Sequence, residues 1–293
     1  MKTSDLLIWG VVYSLLSLGI VVTNAFAIFI FTQRRFKRKR SQYLLINLAV
    51  TDFLVGAIAL PIYIKISSHY ETSLHETYLT ADIIAGMASV STITLISLER
   101  LLVVGWPWRN RLLTRRHYFL AVTSTWLYGI LIRVLLTISF HLKFVKDEFL
   151  YLFISCLGIP FAVTLISCML TIVMKKRSDK SLKRLQRSIS QQNTRLVQSM
   201  LIVIIVFWIT WLPFYICNLY PITDHWCEQL NVKLLKLLHY SNSLINPIIY
   251  SLRLPPFRST LRKMFCRSQI EQEDLRLRNP ELVLHIPSKK QKT

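Results

Sequence analysis

Several sequence features typical of enzymes are missing from this chain. It has no glycine-rich phosphate-binding loop, no histidine and cysteine spacing of a metal site, and no nucleophile elbow. Only 7 glycines and 15 acidic residues occur among its 293 residues. These absences argue against an enzyme, and we expect no organic cofactor.

Charged residues are also missing from long stretches of the chain. Residues 6–33, 149–174 and 196–223 contain no Asp, Glu, Lys or Arg. About 20 apolar residues suffice for a helix to cross a hydrocarbon core of about 30 Å. The sequence therefore predicts an all-α membrane protein, a seven-transmembrane helix bundle over residues 6–254. The predicted spans are 6–31, 42–65, 76–104, 118–141, 149–174, 196–221 and 230–252.

The net charge of +21 has a distinct distribution along the chain. Basic residues concentrate on alternate connectors, at 34–40, 109–116, 175–195 and 253–267. Because cytoplasmic loops carry the excess of Lys and Arg, this pattern predicts an extracellular N-terminus, residues 1–5, and a cytoplasmic C-terminus. Attraction to anionic membrane lipid explains most of the charge, so nucleic acid is not an expected partner.

The segment after the last span has three predicted features. Residues 255–266 alternate basic and apolar side chains, which predicts a short amphipathic eighth helix along the inner leaflet. Cys266 at its end is a candidate for palmitoylation. Residues 267–293 are polar and mixed in charge, so we expect a disordered cytoplasmic tail. Cys217 and Cys227 flank the last outer loop, where an oxidising environment permits a disulfide.

Ionisable residues inside spans are costly and therefore mark candidate functional sites. Asp52 lies in the second span, Asp82 and Arg100 in the third, and Arg133 in the fourth. For Arg133, near the outer edge of the membrane, we expect a lipid-facing side chain whose charged end reaches the interface.

Sequence motifs occur in all seven spans in a fixed order. The motifs are Asn24, Leu48-Ala49-Val50-Thr51-Asp52, Glu99-Arg100-Leu101, Trp126, Pro160, Phe207-x-x-x-Trp211-Leu212-Pro213 and Asn246-Pro247-Ile248-Ile249-Tyr250. In these motifs and their order the chain resembles the rhodopsin-like (class A) G-protein-coupled receptors, over residues 6–266. The resemblance implies a plasma-membrane receptor that transduces an extracellular ligand signal to a heterotrimeric G protein.

The resemblance also implies an activation switch. In it, Glu99 restrains Arg100 at rest, Arg100 meets the G protein after activation, and Tyr250 swings toward Arg100. Trp211, near the kink at Pro213, would sense the ligand. The implied switch residues are Glu99, Arg100, Pro160, Phe207, Pro213, Pro247 and Tyr250.

A sodium pocket around Asp52 is implied in the same way. Oxygen atoms around a carboxylate suit a hard cation, so sodium would act there as an allosteric ligand. The alternative is a water-filled polar cluster without an ion. The residues that match the pocket are Asp52, Ser89, Asn242, Ser243 and Asn246.

Four positions depart from the family pattern. Leu101 and Cys168 replace common tyrosines, and Asn193 stands where an acid often restrains the arginine. His75 stands where a cysteine normally begins the third helix, and the second outer loop has no cysteine. The usual disulfide between them is therefore absent, and the ligand entrance should be open or closed by other groups.

The ligand class is argued from Asp82. It precedes Arg100 by eighteen residues, about 27 Å along a helix, where biogenic-amine receptors hold their ammonium group. Aromatic side chains suit a cation, so a small amine is favoured. A peptide or lipid ligand is the alternative, since Lys236 could itself neutralise Asp82. Outside the receptor class, a transporter or channel is the competing hypothesis. The candidate ligand-binding residues are Asp82, Trp211, Phe214, Tyr215 and Tyr240.

Overall fold

The computed structural model describes residues 3–33, 40–69, 72–142, 146–181, 202, 204–214, 216–217, 232–253, 257–258 and 260. Every regular element in these ranges is helical. The α-helices are α1 (Thr3–Thr32), α2 (Gln42–Leu54), α3 (Leu60–His69), α4 (His75–Gly105), α5 (Pro107–Leu112), α6 (Arg115–His141), α7 (Lys146–Ser181), α8 (Ile204–Phe214) and α9 (Val232–Arg253). A π-helical turn (Val55–Ala59) joins α2 to α3, and a 3-10 turn (Thr72–Leu74) precedes α4.

Each predicted span corresponds to a helix in the described ranges. Five segments are long and apolar enough to cross a membrane, namely Asp5–Thr32, Gln42–Ser67, His75–Gly105, Arg115–His141 and Ser155–Arg177. The shorter α8 lies in the predicted sixth span, and α9 covers the seventh. Residues 257, 258 and 260 are helical, and Phe257 packs edge-on against Phe31. The other residues of the predicted eighth helix, with Cys266 and the 267–293 tail, lie outside the described ranges.

A longer α7 and an additional short helix, α5, differ from prediction. Helix α7 continues to Ser181, whereas the predicted span ends at residue 174. The apolar segment ends at Met174, but the Lys and Arg residues that follow it are good helix formers and extend the helix. The short helix α5 was not predicted, and Pro107 in its first turn fits a helix start.

Helix α4 lies at the centre of the bundle, in contact with α2, α6 and α7. Buried Asn47 of α2 fixes three of these helices together. Its Nδ2 donates to Thr92 Oγ1 of α4 at 2.7 Å and to Thr125 Oγ1 of α6 at 3.1 Å. Its Oδ1 accepts from Trp126 Nε1 at 2.9 Å. All of the amide's polar atoms are thus used, which avoids the cost of an unsatisfied polar group inside a membrane.

The π turn between α2 and α3 is stabilised from α1. Leu60 N–H donates to Val55 O, five residues back, as expected for a π turn. Ser17 Oγ of α1 donates to Gly56 O at 2.7 Å. Pro61 follows at once and has no N–H to donate to a preceding turn. The carbonyl of Gly56 in the π turn thus has a side-chain donor, and Pro61 adds no N–H that would need an acceptor.

Helices α4 and α6 are in close contact at Gly129. A Cβ atom added to Gly129 would lie 2.7 Å from Ile84 O and 3.2 Å from Ile84 Cα. Small residues permit this kind of backbone contact between membrane helices. Because the neighbour is backbone, the contact cannot be relieved by rotating a side chain.

We expect Gly129→Ala to destabilise the folded protein by about 1–3 kcal/mol, since α6 must move away from α4. Gly10→Ala is the matched control, because a Cβ at Gly10 meets nothing within 4 Å. Thermal unfolding of the detergent-purified protein measures both variants. Equal melting temperatures for the two variants would contradict the close contact.

Candidate functional site

A cavity of about 900 Å³ lies between α4, α6, α7, α8 and α9, at the end of the bundle where α4 begins. We call it the main cavity and this end the His75 end. Its wall is mainly apolar with a few polar groups, as is typical of small-molecule sites. The ionisable side chains on the wall include His75, Glu76, Asp82, Arg133, His141, Lys236 and His239.

The candidate ligand-binding residues occupy different positions around this cavity. Asp82, Trp211 and Phe214 line it. Tyr240 is 1% exposed and lies behind Asp82, to which it hydrogen-bonds. Tyr215 lies outside the described residues.

Two phenols orient the Asp82 carboxylate. Tyr78 OH donates to Asp82 Oδ2 at 3.1 Å, and Tyr240 OH donates to Oδ1 at 3.0 Å. The two hydroxyl oxygens are themselves 2.8 Å apart. Two phenol protons therefore serve three close oxygen contacts, so the network has alternative proton arrangements of similar geometry.

Lys236 extends into the same network from α9. Its ammonium donates to the Tyr78 hydroxyl. The Nζ atom lies 4.8 Å from the ring centroid of Tyr63, 4.7 Å from Tyr78, 5.7 Å from Phe214 and 5.9 Å from Tyr240. These distances are within the range of cation–π attraction. The aromatic surroundings predicted for a ligand cation are thus shared by a cation of the protein.

Asp82 and Lys236 do not form a direct ion pair. Among the residues that the structure describes, the salt bridges join Arg100 to Glu99 and Arg133 to Glu76. The opposite charges of Asp82 and Lys236 instead meet at the Tyr78 hydroxyl. Lys236 therefore balances the negative charge of Asp82 through the shared Tyr78 hydroxyl. Both charged groups still line the main cavity.

His239 supplies a further polar group to the cavity wall. Its ring packs edge-on against Trp211, with 4.2 Å between the ring centroids, and stacks on Phe214, with 4.9 Å between the centroids. The side chain is 8% exposed, and its Nδ1 atom is buried without a hydrogen-bond partner. A buried polar atom without a partner is unusual and is a candidate contact for a ligand.

The prediction for Arg133 was wrong. Its side chain does not face lipid but reaches across to α4, where Nη2 lies 2.5 Å from Glu76 Oε2 and Nε donates to Thr80 Oγ1 at 3.0 Å. A further guanidinium hydrogen bond goes to Thr137. Charge pairing outweighs exposure to the interface because two helices present acceptors to one guanidinium. The contacts join α4 to α6 at the end where His75 replaces the family's cysteine.

The polar cluster around Asp52 is fully buried in the middle of the bundle. Asp52 Oδ1 accepts from Ser89 Oγ at 3.3 Å and from Ser243 Oγ at 2.9 Å, and Oδ2 accepts from Asn246 Nδ2 at 2.8 Å. Asn242 lies on the same helix as Asn246 but makes no hydrogen bond to Asp52 within the described residues. Three of the other four candidate sodium-pocket residues are therefore hydrogen-bonded to Asp52.

The unused oxygen atoms near this cluster fit a cation. The Oδ1 atoms of Asn24, Asn242 and Asn246 are buried without donors. Asn24 belongs to the cluster because its Nδ2 donates to Ser243 O at 2.9 Å. Carboxylate and amide oxygens are the ligands that hard cations prefer, so the donor set is compatible with sodium.

Arg100 and Glu99 lie at the opposite end of α4, the Arg100 end. Arg100 Nη2 contacts Glu99 Oε2 at 3.0 Å, and both residues are buried. Glu99 Oε1 accepts from Tyr118 OH of α6 at 3.0 Å. The carboxylate is thus held between α4 and α6 while it pairs with the guanidinium. Asn193 lies outside the described residues.

Aromatic packing connects the main cavity to α7 and the middle of α8. Phe207 is fully buried. Its ring centroid lies 5.0 Å from that of Phe161, on which it stacks, and 5.6 Å from that of Trp211. Pro160 lies inside α7 next to Phe161, and its carbonyl accepts from Thr164 Oγ1 at 2.7 Å and from Thr94 Oγ1 of α4 at 3.4 Å.

The remaining switch residues lie in α8 and α9. Pro213 is in α8, and Pro247 is inside α9. Tyr250 belongs to α9, but its side chain lies outside the described part of the chain.

Cys217 is disulfide-bonded. Cys227, its predicted partner, also lies outside the described residues.

Sequence reasoning missed several residues that position these groups. Tyr78 precedes Asp82 by four residues, so helical spacing places both on one face and was a usable signal. His239 follows Lys236 by three residues on the same face of α9. Tyr63 and Tyr118 gave no such signal, because their partners Lys236 and Glu99 lie on other helices.

Comparison with known proteins identifies the family. Residues 23–250 match the family described as "7 transmembrane receptor (rhodopsin family)". Mouse (Mus musculus) neuromedin-U receptor 2 is 26% identical, over 90% of this chain and 76% of that receptor. Adenosine receptor A3 of Ovis aries is 24% identical, over 84% of this chain and 86% of that receptor. The 5-hydroxytryptamine receptor 2 of Aplysia californica is 24% identical, over 88% and 76% respectively.

These relatives are named for three different ligands, so the similarity does not favour one ligand class. The match does confirm the predicted all-α seven-helix fold class, because it extends over most of the chain and every described element is helical. The chain therefore belongs to the rhodopsin family of seven-transmembrane receptors, multi-pass plasma-membrane proteins that bind a ligand and couple to G proteins rather than act as enzymes.

Proposed function

We propose that this receptor binds a small ligand through an ammonium group held by Asp82 and transmits the signal to a heterotrimeric G protein at the Arg100 end. The observation that carries the proposal is the Asp82 carboxylate, which faces a 900 Å³ cavity while two phenols fix its orientation. An ammonium beside it would gain charge-assisted hydrogen bonds and the aromatic rings that now surround Lys236.

The orientation in the membrane is part of this proposal. Exposed Arg109, Arg111, Arg115 and Arg116 all lie at the Arg100 end of the bundle. Because basic residues favour the cytoplasmic side, the Arg100 end faces the cytoplasm and the main cavity faces outside. A ligand would then enter from the extracellular side, and the buried Glu99–Arg100 pair would become accessible to a G protein once the cytoplasmic end of the bundle opens.

Signal transmission is proposed to pass through the packed aromatic side chains. A ligand in the main cavity contacts Trp211, which packs on Phe207 and through it on Phe161. Movement of α8 relative to α7 would change this packing. A ligand that fits one arrangement better than the other shifts the population toward it. Opening at the Arg100 end then frees Arg100 from Glu99.

Sodium is proposed as an allosteric ligand at Asp52. The cation would be bound by Asp52 with oxygen atoms of Ser89, Asn242, Ser243 and Asn246, and would supply positive charge to a buried carboxylate. Its binding would favour the inactive arrangement of α4 and α9. A cluster filled by water alone is the competing interpretation.

The alternative within the receptor class is a peptide or lipid ligand. The main cavity favours this alternative, because its volume and its apolar surface are larger than a simple amine would fill or cover. Lys236 also favours it, since it already compensates Asp82 through Tyr78. A transporter or channel has no comparable support, because the matched family consists of receptors.

We expect Asp82→Ala to weaken an amine agonist roughly thirtyfold or more. Removing one partner of a buried charge pair costs about 2–5 kcal/mol, and about 1.4 kcal/mol is tenfold in affinity. Asp82→Glu should cost less, because the charge remains. Tyr240→Phe should cost still less, because it removes only one orienting hydroxyl. Agonist binding to membranes measures the series, and a peptide or lipid agonist unaffected by Asp82→Asn would contradict the amine site.

Arg100→Ala should abolish or strongly reduce G-protein activation while ligand affinity stays measurable, because Arg100 lies about 27 Å from Asp82 along α4. Agonist-dependent nucleotide exchange on an added G protein is the measurement. Arg116→Ala is the control, since it removes an exposed basic residue at the same end of the bundle. Equal loss of exchange in both variants would show a general charge effect rather than a switch.

Sodium should lower agonist affinity, and Asp52→Asn should remove this sensitivity. The comparison is agonist binding in sodium against binding at the same ionic strength of a bulky organic cation, which cannot enter the buried cluster. Equal affinities in the two salts for the unmodified receptor would leave the water-filled cluster as the interpretation.

A further inference from the structure

We infer that the ligand of the main cavity is a small zwitterion, with its ammonium at Asp82 and an adjacent carboxylate at Lys236. The inference rests on the proposed amine site at Asp82 and names the class of molecule that it would accept. An α-amino acid with an apolar or aromatic side chain has this chemistry. Three features of the cavity support it: the placement of the two charges, the repulsion that Lys236 would exert on a ligand with only a positive charge, and the polar group of His239 that has no hydrogen-bond partner among the described residues.

The first feature is that two opposite charges face one cavity without pairing directly. Asp82 and Lys236 both line the cavity, on α4 and α9. Tyr78 OH lies between them, 3.1 Å from Asp82 Oδ2 and in hydrogen-bond contact with Lys236 Nζ. Since both groups reach the same hydroxyl, a ligand that contacts both must carry its own charges only a few bonds apart. An ammonium and a carboxylate on one carbon meet this requirement.

The second feature is the effect of Lys236 on a ligand that carries only a positive charge. The Lys236 ammonium lies among Tyr63, Tyr78, Phe214 and Tyr240. A second ammonium at Asp82 would share this aromatic site with a like charge in a partly desolvated setting, where repulsion is poorly screened. A carboxylate beside the incoming ammonium removes that repulsion because it pairs with Lys236. The zwitterion therefore leaves the net charge of the cavity unchanged.

The third feature is the deeper wall of the cavity. Ile83, Met87, Leu157 and Trp211 provide an apolar surface for a side chain. His239 lies beside Trp211 and makes no hydrogen bond within the described part of the chain, although it is 8% exposed. A ligand side chain with a polar group would give this imidazole a partner. The wall thus favours aromatic side chains that carry a hydroxyl or ring nitrogen.

Matched sets of compounds test the inference. Each set contains an amino acid, its methyl ester and its decarboxylated amine, for example tyrosine, tyrosine methyl ester and tyramine. Corresponding sets are based on tryptophan, histidine and phenylalanine. All members of a set keep the ammonium and the side chain, and the amino acid alone carries the carboxylate. Agonist-dependent nucleotide exchange on an added G protein, in membranes that contain the receptor, gives the potency of each compound.

We expect the amino acid of at least one set to be at least tenfold more potent than its ester and its amine. Lys236→Met should remove that preference, because the ligand carboxylate loses its partner while side-chain length is kept. Lys236→Arg should retain it. Asp82→Asn should weaken all three members. Cell-surface staining of each variant separates poor expression from altered recognition, and the comparison on the unmodified receptor needs no variant.

The outcomes separate this inference from the proposed function. Equal potency of acid, ester and amine on the unmodified receptor, with all three lost in Asp82→Asn, would overturn the zwitterion and leave the amine site standing. A preference for the acid that survives Lys236→Met would also overturn it. Responses that are insensitive to Asp82→Asn, or no response to any compound, would overturn both.

Discussion

The cost of placing charge inside a membrane-spanning bundle governs this structure. An ionised side chain surrounded by apolar helices must find opposite charge or hydrogen-bond donors nearby. Asp52 and Asp82 each receive hydrogen bonds from two helices: Asp52 from Ser89 and Ser243, and Asp82 from Tyr78 and Tyr240. A helix that moves therefore changes the environment of a charge. This coupling makes the polar sites sensitive to the relative positions of the helices.

The contacts of Arg133 show how this chain organises the rim of its cavity without the family's usual disulfide. At the His75 end, one guanidinium joins α6 to Glu76 and Thr80 of α4. Unlike a disulfide, an ion pair with an exposed carboxylate is weak and exchanges with water. The α4–α6 side of the rim is consequently held by contacts that can open and close, which is compatible with entry of a polar ligand.

The sequence was sufficient to predict the helices and the central polar groups, but not the contacts between them. Long charge-free stretches define membrane helices because few other structures tolerate them, and Asp52, Asp82 and Arg100 were conspicuous for the opposite reason. Arg133 was misplaced because periodicity does not show which neighbour a face meets. The position of Lys236 among four rings was also beyond prediction. Three of those rings come from other helices, and no local spacing relates them to Lys236.

The π turn at Val55–Ala59 has a consequence for the comparison of related sequences. A bond that closes over five residues instead of four places one additional residue in the turn. Every position beyond it is therefore rotated by one residue, about 100°, relative to an uninterrupted α-helix counted from Asp52. Tyr63 faces Tyr78 and Lys236 in this shifted register. An ungapped alignment to a relative with a regular second helix would pair Tyr63 with a residue on a different face and so misassign a side chain that packs against Tyr78 and Lys236.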